Sequence, residues 1–151
     1  MPWQDLLSLT LAVVFGGLIG FERERSGKAA GLRTNLLICL GAAVFTIISE
    51  RMTAGSEGAV TRIAAQVVTG VGFLGAGAII QDRGGIHGLT TAATIWLVAS
   101  IGMACGAHCY SLAVITTLIA IVVLIGFGRL ERFWGHSKEI TKQPNIPQDQ
   151  D

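Results

Sequence analysis

The feature that most constrains this chain is the confinement of its charged residues to a few short segments. Its 11 basic and 10 acidic residues lie at Asp5 and within 22–33, 50–62, 82–83 and 129–151. Five stretches between them carry no charge, namely residues 6–21, 34–49, 63–81, 89–107 and 110–128. Long uncharged apolar runs of this kind partition into lipid. The pattern therefore predicts a membrane protein.

The composition agrees with that prediction and excludes several other classes. Hydrophobic types make up 51% of the chain and charged types 14%, whereas soluble domains carry about 25% charged residues. A net charge of +1 gives no basic surface for nucleic acid, so no nucleic-acid partner is expected. Three cysteines cannot all pair, so no disulfide framework is indicated.

The uncharged runs are continuous, which favours helices over the alternating pattern of a membrane barrel. Because about 20 apolar residues are needed to cross the hydrocarbon core, the last three runs are long enough and the first two are short. We predict an all-α membrane protein, a five-span transmembrane helical bundle. A half-helix buried in the bundle is the alternative for the second run.

Lysine and arginine counts give the expected orientation. When successive loops are assigned to alternate sides, nine basic residues fall on one side and two on the other. The positive-inside rule then places the N-terminus outside and the C-terminus in the cytoplasm. We predict a membrane domain over 1–130 and a short polar cytoplasmic tail over 131–151, with no second domain after it.

A shift of 57 residues gives nine identities in 29 positions, among them Gly31-Leu32 with Gly88-Leu89 and Thr34 with Thr91. This match suggests a parallel repeat of two helical hairpins plus a fifth helix. The alternative is that glycine precedes both helices because the turns there require it.

Glycines in the predicted spans are candidates for helix packing. The run Gly70-Val-Gly72-Phe-Leu-Gly75 matches a dinucleotide fingerprint, but it lies inside an apolar span without a preceding strand, so we reject that interpretation. Small residues let helix backbones approach closely in lipid. We therefore expect helix contacts, or less readily a pore lining, at Gly16, Gly20, Gly72, Gly75 and Gly77.

Residues 22–33, which we call the charged corner, are the densest charged feature of the chain. They can anchor the protein at anionic head groups. They can also bind an acidic partner, a lipid head group or an anion together with the loop that carries Asp82. We predict partner binding by Glu22, Arg25, Arg33 and Asp82.

Metal and enzyme chemistry find little support in the sequence. Cys105, His108 and Cys109 offer too few ligands for a closed zinc site, so no metal or cofactor is expected. No nucleophile has an adjacent base, so we do not expect an enzyme. Gln66 and Thr69 are polar residues within a span, and their expected role is a hydrogen bond to a neighbouring helix.

The spans contain no carboxylates, which weakens the case for an ion-coupled transporter because such proteins place acidic residues within the membrane. A divalent-cation transporter stays open as an alternative, since backbone carbonyls at broken helices can also bind hard cations.

Four segments together resemble the MgtC/SapB family of bacterial inner-membrane proteins over about residues 5–130. They are Gly20-Phe-Glu-Arg-Glu-Arg25, Ala30-Gly-Leu-Arg-Thr34, the stretch 61–77 that begins Thr-Arg-Ile-Ala-Ala-Gln, and Gly88-Leu-Thr-Thr-Ala-Ala-Thr-Ile-Trp96. The resemblance implies a multi-pass inner-membrane protein that is not an enzyme.

The best-known branch of that family is linked to growth in low magnesium, survival in host cells and inhibition of the rotary ATP synthase. Its members carry a soluble C-terminal domain, whereas a polar tail follows Gly128 here. They also read Gly-Leu-Asn-Thr where this chain has Gly88-Leu-Thr-Thr91. The resemblance therefore covers the membrane domain, and the ATP-synthase role is not carried over.

The functional expectation is a regulatory or partner-binding role in magnesium-linked ion or envelope homeostasis. The alternative is a small cation transporter or channel. The expected partners are the lipid bilayer, another membrane protein or complex, and a second copy of the chain.

Overall fold

A computed structural model describes residues 3–52, 57–82 and 85–139, and it describes side chains over 3–52, 65–79 and 85–129. Within these ranges the chain forms five helices and one short hairpin of two antiparallel strands. In chain order the elements are α1 (Trp3–Arg25), α2 (Leu32–Met52), α3 (Glu57–Gly77), β1 (Ile80–Asp82), β2 (Gly85–His87), α4 (Leu89–Gly106) and α5 (Tyr110–Glu139).

Membrane-spanning helices are confirmed as the main elements. Four helical segments are long and apolar enough to cross a bilayer: Trp3–Arg25, Leu32–Met52, Leu89–Gly106 and Tyr110–Arg129. The apolar part of α3, Ala65–Gly77, is shorter. The second run is one continuous helix rather than a half-helix. The fivefold span count, the orientation and the internal repeat stay predictions.

One predicted boundary differs from the structure. The third run was expected to stay apolar and continuous to residue 81, but α3 ends at Gly77 and Ile80 begins β1. An apolar run does not by itself distinguish a helix from a short strand. The polar tail predicted over 131–151 begins within α5, which continues to Glu139; Arg, Glu and Lys are good helix formers. Residues 140–151 lie outside the described ranges.

Glycines bring α1, α2 and α4 into close contact. A Cβ at Gly16 would lie 2.6 Å from Cys39 Cβ, and one at Gly20 would lie 2.8 Å from Leu32 Cα. A Cβ at Gly106 would lie 2.5 Å from the Ala43 carbonyl oxygen. Because these glycines have no side chain, the helices pack closely at these points, as expected where lipid supplies no hydrophobic force between helices.

The buried apolar residues form two clusters that share α2 and α4. The larger joins these helices to α1 and α5 and includes Ile19, Cys39 and Ile101. The smaller joins them to α3 through Ala42, Val71 and Ala99. Helices α2 and α4 are therefore central, whereas α3 and α5 are peripheral.

The outer faces of the bundle are apolar. Large exposed side chains include Phe73 on α3, Trp96 on α4, and Leu118, Val122 and Phe127 on α5. A soluble monomer rarely exposes so much contiguous apolar surface. These faces are the surface that a bilayer would cover.

Two helices end in the same backbone motif. At α1 the Gly27 N–H donates to Glu24 and the Lys28 N–H to Arg23, and at α4 the His108 N–H donates to Cys105 and the Cys109 N–H to Ala104. Both are Schellman caps, which need a left-handed residue just past the helix. Gly27 has φ +66° and His108 has φ +57°. A histidine therefore occupies a position that ordinarily takes glycine.

Candidate functional site: the charged corner and the opposite polar end

The charged corner begins with a carboxylate whose two oxygens are both engaged. Glu22 Oε2 accepts a hydrogen bond from Arg23 Nε, and Glu22 Oε1 accepts one from the Ser26 hydroxyl at 2.8 Å. The side chain of Glu22 is only 13% exposed. Glu22 thus pairs with its sequence neighbour Arg23.

The second carboxylate of the corner caps the next helix. Glu24 Oε2 accepts a hydrogen bond from the Leu32 N–H at 2.8 Å. This N–H is one of the first-turn donors of α2 that have no partner inside the helix, and a negative charge at that end is favourable. The amide of Asn35 tightens the same turn, because its Nδ2 donates to the carbonyls of Ala30 and Gly31 at 2.7 and 2.9 Å.

The cations of the corner are placed differently. Arg25, Lys28 and Arg33 are exposed, and none of them forms an ion pair with a described side chain. Arg23, by contrast, is 3% exposed. Four cations stand against two carboxylates within residues 22–33, so the corner carries two net positive charges. Glu22 is mostly buried, whereas Glu24 is exposed and caps α2, so the exposed part of the corner carries three cations and one carboxylate.

The fourth residue predicted for partner binding, Asp82, ends β1 and pairs in register with Gly85. Its side chain lies outside the described part of the structure. Ala30 packs in the same cluster as Val71 and Ile95, which brings the α1–α2 loop against α3 and α4.

The predicted packing glycines fall into two groups. Gly16 and Gly20 lie at the α1–α2 contact. A Cβ at Gly75 would lie 3.5 Å from the carbonyl oxygen of Ala92. For Gly72 and Gly77 the structure shows no described atom within 4 Å of a would-be Cβ. The α3 helix therefore packs more loosely than α1, α2 and α4.

A lateral groove of about 590 Å³ lies between α2 and α3. Its lining is apolar apart from Gln66, and it includes Gly41, Phe45 and Gly70. Gln66 is exposed and forms no hydrogen bond with a described residue, whereas Thr69 bonds to the Ala65 carbonyl of its own helix at 3.0 Å. The expected bonds to a neighbouring helix are therefore not formed among the residues that the structure describes.

A polar cluster at the opposite end of the bundle was missed by sequence reasoning. Ser8 Oγ lies 3.0 Å from His108 Nδ1 and 3.1 Å from Tyr110 Oη, and these two rings are joined by a hydrogen bond of 2.9 Å. Asp5, which is buried, forms an ion pair with Arg51. The cluster ties the start of α1 to the end of α2 and to the α4–α5 turn. A polar Asp5 and Ser8 beside an apolar run were the only signal for it in the sequence.

This polar cluster contains a serine, a histidine and Glu50, but it lacks the features of a nucleophilic site. Ser8 is fully buried, so no substrate could reach its hydroxyl. His108 Nε2 is 3.8 Å from Glu50 Oε2, which is longer than the hydrogen bond that orients a catalytic histidine. The cluster joins helix ends rather than presenting a nucleophile.

The cysteine and histidine motif also gives no metal site in the described part of the chain. Cys105 is buried and Cys109 is exposed, and the described residues contain no group of three ligands able to hold a metal ion. The Cys109 thiol lies 3.6 Å from the Ala107 carbonyl. The motif builds the Schellman turn instead.

Together, the apolar outer faces, the glycine-packed helices and a charged corner at one end define a multi-pass helical membrane protein that sits in a lipid bilayer. Its particular family follows from comparison with known proteins. The chain belongs to the MgtC family, whose family model matches residues 9–133. The predicted family is thereby confirmed.

Several curated proteins are similar to the chain. It is 45% identical over 127 residues to "Protein MgtC" of Brucella abortus, which covers 82% of this chain and 52% of that protein. It is 45% identical over 138 residues to "Putative magnesium transporter YhiD" of Escherichia coli, which covers 86% of this chain and 63% of that protein. The chain thus spans about half to two thirds of the length of these relatives. No solved structure matches it significantly.

Proposed function

We propose that this protein is a regulatory, partner-binding membrane protein in magnesium-linked ion or envelope homeostasis, and that the charged corner is its contact surface. Family membership and the Escherichia coli relative named as a putative magnesium transporter support the magnesium link. The observation that carries the proposal is the division of charge in the corner. Glu22 and Glu24 each accept a hydrogen bond from within the chain, while Arg25 and Arg33 are exposed without a described ion-pair partner.

The division of charge favours an acidic partner. Exposed arginines present planar forks that bind carboxylates bidentately. A rim of unpaired cations also raises the rate of association with a negatively charged surface. In this proposal Arg25 and Arg33 contact the partner, Glu22 positions the loop between α1 and α2 through Ser26, and Asp82 belongs to the same surface.

The topology that completes the proposal is five spans in the bacterial inner membrane, with the N-terminus outside and the corner in the cytoplasm. The support is the excess of basic residues on the side of the corner and the set of four long apolar helices plus α3. A homodimer is a further expectation, which cross-linking of the purified chain would test.

The test of the proposed function is the Arg33→Ala variant with Arg129→Ala as a matched control. Arg129 is also exposed and lies near the end of the α5 span, so the control removes the same charge elsewhere. We expect Arg33→Ala to lose most of a co-purifying membrane complex that the wild type and the control retain, at equal abundance in the membrane. An equal loss of membrane abundance would show that Arg33 is only structural.

A small cation transporter or channel is the second candidate. The name of the Escherichia coli relative supports it, as does the lateral groove between α2 and α3. The groove offers one amide and otherwise apolar side chains, whereas Mg²⁺ requires several oxygen ligands. Flux through liposomes that contain the purified protein, abolished by Gly75→Leu, would favour transport. Silent liposomes together with an Arg33-dependent complex would favour partner binding.

A further inference from the structure

The lateral groove between α2 and α3 contains one polar side chain, that of Gln66. Gln66 is exposed and forms no hydrogen bond with any residue that the structure describes. Its amide carries two donors on the nitrogen and an acceptor oxygen, whereas the other side chains that line the groove are apolar. An amide surrounded by hydrocarbon without a hydrogen bond is costly, so the groove is suited to an occupant that pairs with it.

The groove lies at the depth of the apolar spans rather than at their ends. Its α2 wall extends from Leu37 to Phe45, and Phe45 precedes Met52, the last residue of α2, by seven residues, or about 10 Å of helix. On α3, Gln66 lies within the apolar segment Ala65–Gly77. Water is therefore not the expected partner of the amide, because this surface is one that a bilayer would cover.

The exposed surface of α3 differs from that of α5. Helix α5 exposes mainly large apolar side chains, which resemble the lipid tails in polarity. Helix α3 exposes Val68, Phe73 and Leu74 together with polar or small residues, namely Gln66, Thr69, Gly70, Gly72 and Gly77. In membranes, amides and small residues on a helix surface are typical of a contact with another helix. The surface of α3 therefore favours a protein partner over lipid.

Glycines on both walls leave room for a helix in the groove. Gly41 on α2 and Gly70 on α3 line it, and for each of them no described atom lies within 4 Å of a would-be Cβ. Their missing side chains therefore serve no contact among the described residues, in contrast to Gly16, which packs against Cys39. The groove has a volume of about 590 Å³, and a second helix can approach the backbone directly at these two glycines.

We propose that this groove is the contact surface of a homodimer, in which each α3 lies in the groove of the other copy and the two Gln66 side chains hydrogen-bond to each other. Copies inserted with the same orientation are related by a two-fold axis along the membrane normal. Equivalent residues then lie at the same depth. Because an amide both donates and accepts, Gln66 is complementary to itself across this axis.

A lipid acyl chain is the competing occupant of the groove. It would cover the apolar walls, but it has no hydrogen-bonding group at this depth and would leave the Gln66 amide unsatisfied. The inference rests on the proposed membrane topology, in which all copies share one orientation, and it names the surface of the expected homodimer. It does not depend on the charged corner.

The experiment measures the monomer–dimer equilibrium of the full chain by sedimentation equilibrium in density-matched detergent. Gln66→Leu removes the amide, and Gln66→Asn keeps it. Gly70→Leu fills the groove from a position where no described atom lies within 4 Å of the new Cβ. Gln4→Leu and Gly126→Leu are matched controls, because both residues are exposed on other helices. Phospholipid that co-purifies with each variant is quantified by mass spectrometry.

We expect the wild type to dimerise and Gln66→Leu to raise the Kd of the dimer by about tenfold, since the amide pair is lost. Gly70→Leu should raise the Kd by at least as much, whereas Gln66→Asn and both controls should stay within about threefold of the wild type. A wild type that stays monomeric, or a dimer unaffected by Gln66→Leu and Gly70→Leu, would overturn the inference. A monomer that loses bound phospholipid in Gly70→Leu would show that lipid occupies the groove and would overturn it as well.

The two proposals fail in different ways. If Arg33→Ala leaves the co-purifying complex intact while Gln66→Leu weakens the dimer, the partner-binding function is wrong and the dimer surface stands. If Arg33→Ala removes the complex while Gln66→Leu and Gly70→Leu dimerise like the wild type, the dimer surface is wrong and the partner-binding function stands.

Discussion

Replacing His108 by glycine would separate the backbone strain at this turn from the contacts of the imidazole. His108 adopts φ +57° at the position just past α4. A left-handed conformation costs a non-glycine residue about 1 kcal/mol, and glycine avoids that cost. Glycine occupies the equivalent position of the same motif at Gly27, with φ +66°. The backbone term of His108→Gly is therefore stabilising by about 1 kcal/mol.

The imidazole contacts act in the opposite direction. His108→Gly removes the hydrogen bonds to Ser8 at 3.0 Å and to Tyr110 at 2.9 Å, and each is worth about 1 kcal/mol net. Ser8 and Tyr110 keep their mutual contact at 3.1 Å, so neither hydroxyl is stranded. The contact with Glu50 at 3.8 Å is partly exposed and adds little. We expect His108→Gly to lower the free energy of unfolding by about 1 kcal/mol.

The matched variant is His108→Ala, which loses the same hydrogen bonds and keeps the backbone strain. It should therefore be less stable than His108→Gly by about 1 kcal/mol, a factor of about five in the unfolding equilibrium. The measurement is reversible unfolding of the purified protein in mixed micelles, followed by circular dichroism. Equal stability of the two variants would show that the left-handed turn stores no strain. A glycine variant more stable than the wild type would show that the imidazole contacts contribute nothing net.

Three further predictions concern helix packing, the buried ion pair and the orientation. Gly102→Ala should lower the free energy of unfolding by about 2 kcal/mol, because its Cβ would overlap a backbone carbonyl of α2. The control Gly126→Ala has no described neighbour within 4 Å and should not destabilise the protein. Similar unfolding curves for the two variants would contradict the α2–α4 contact. Arg51→Gln should lower the free energy of unfolding more than Asp5→Asn. Arg51→Gln leaves the Asp5 carboxylate, which is 4% exposed, without its ion pair, whereas Asp5→Asn leaves unpaired an arginine that is 52% exposed. The reverse order in urea or SDS titrations would contradict this pairing. A membrane-impermeant maleimide should label the exposed Cys109 in intact spheroplasts, and labelling only after lysis would reverse the proposed orientation.

The membrane class and the positions of the helices followed from local features. Each of the five uncharged runs lies mostly within one helix, because transfer into lipid depends on composition summed along a run. The family followed from motifs such as Gly20-Phe-Glu-Arg-Glu-Arg25 and is confirmed. Helix ends were less accurate, as at Gly77, because they depend on turns and on contacts made after the helix stops.

The role of each charge in the corner could not be predicted from the sequence. Glu22, Arg23, Glu24 and Arg25 are adjacent and chemically similar in pairs, yet one arginine is buried and the other exposed. The helical repeat turns successive side chains by about 100°, so only the position of α2 against α1 decides which of them faces inwards.

The division between the two sources of information has a physical basis. The sequence alone determined that the chain is a bundle of membrane helices, because solvation by lipid is a local property of each run. Tertiary structure alone decided that Ser8 meets His108 a hundred residues away, that Glu24 caps α2 and that Arg23 is buried beside Glu22. Those arrangements depend on which helix ends come together, and glycine-mediated packing, rather than any local preference, fixes that choice.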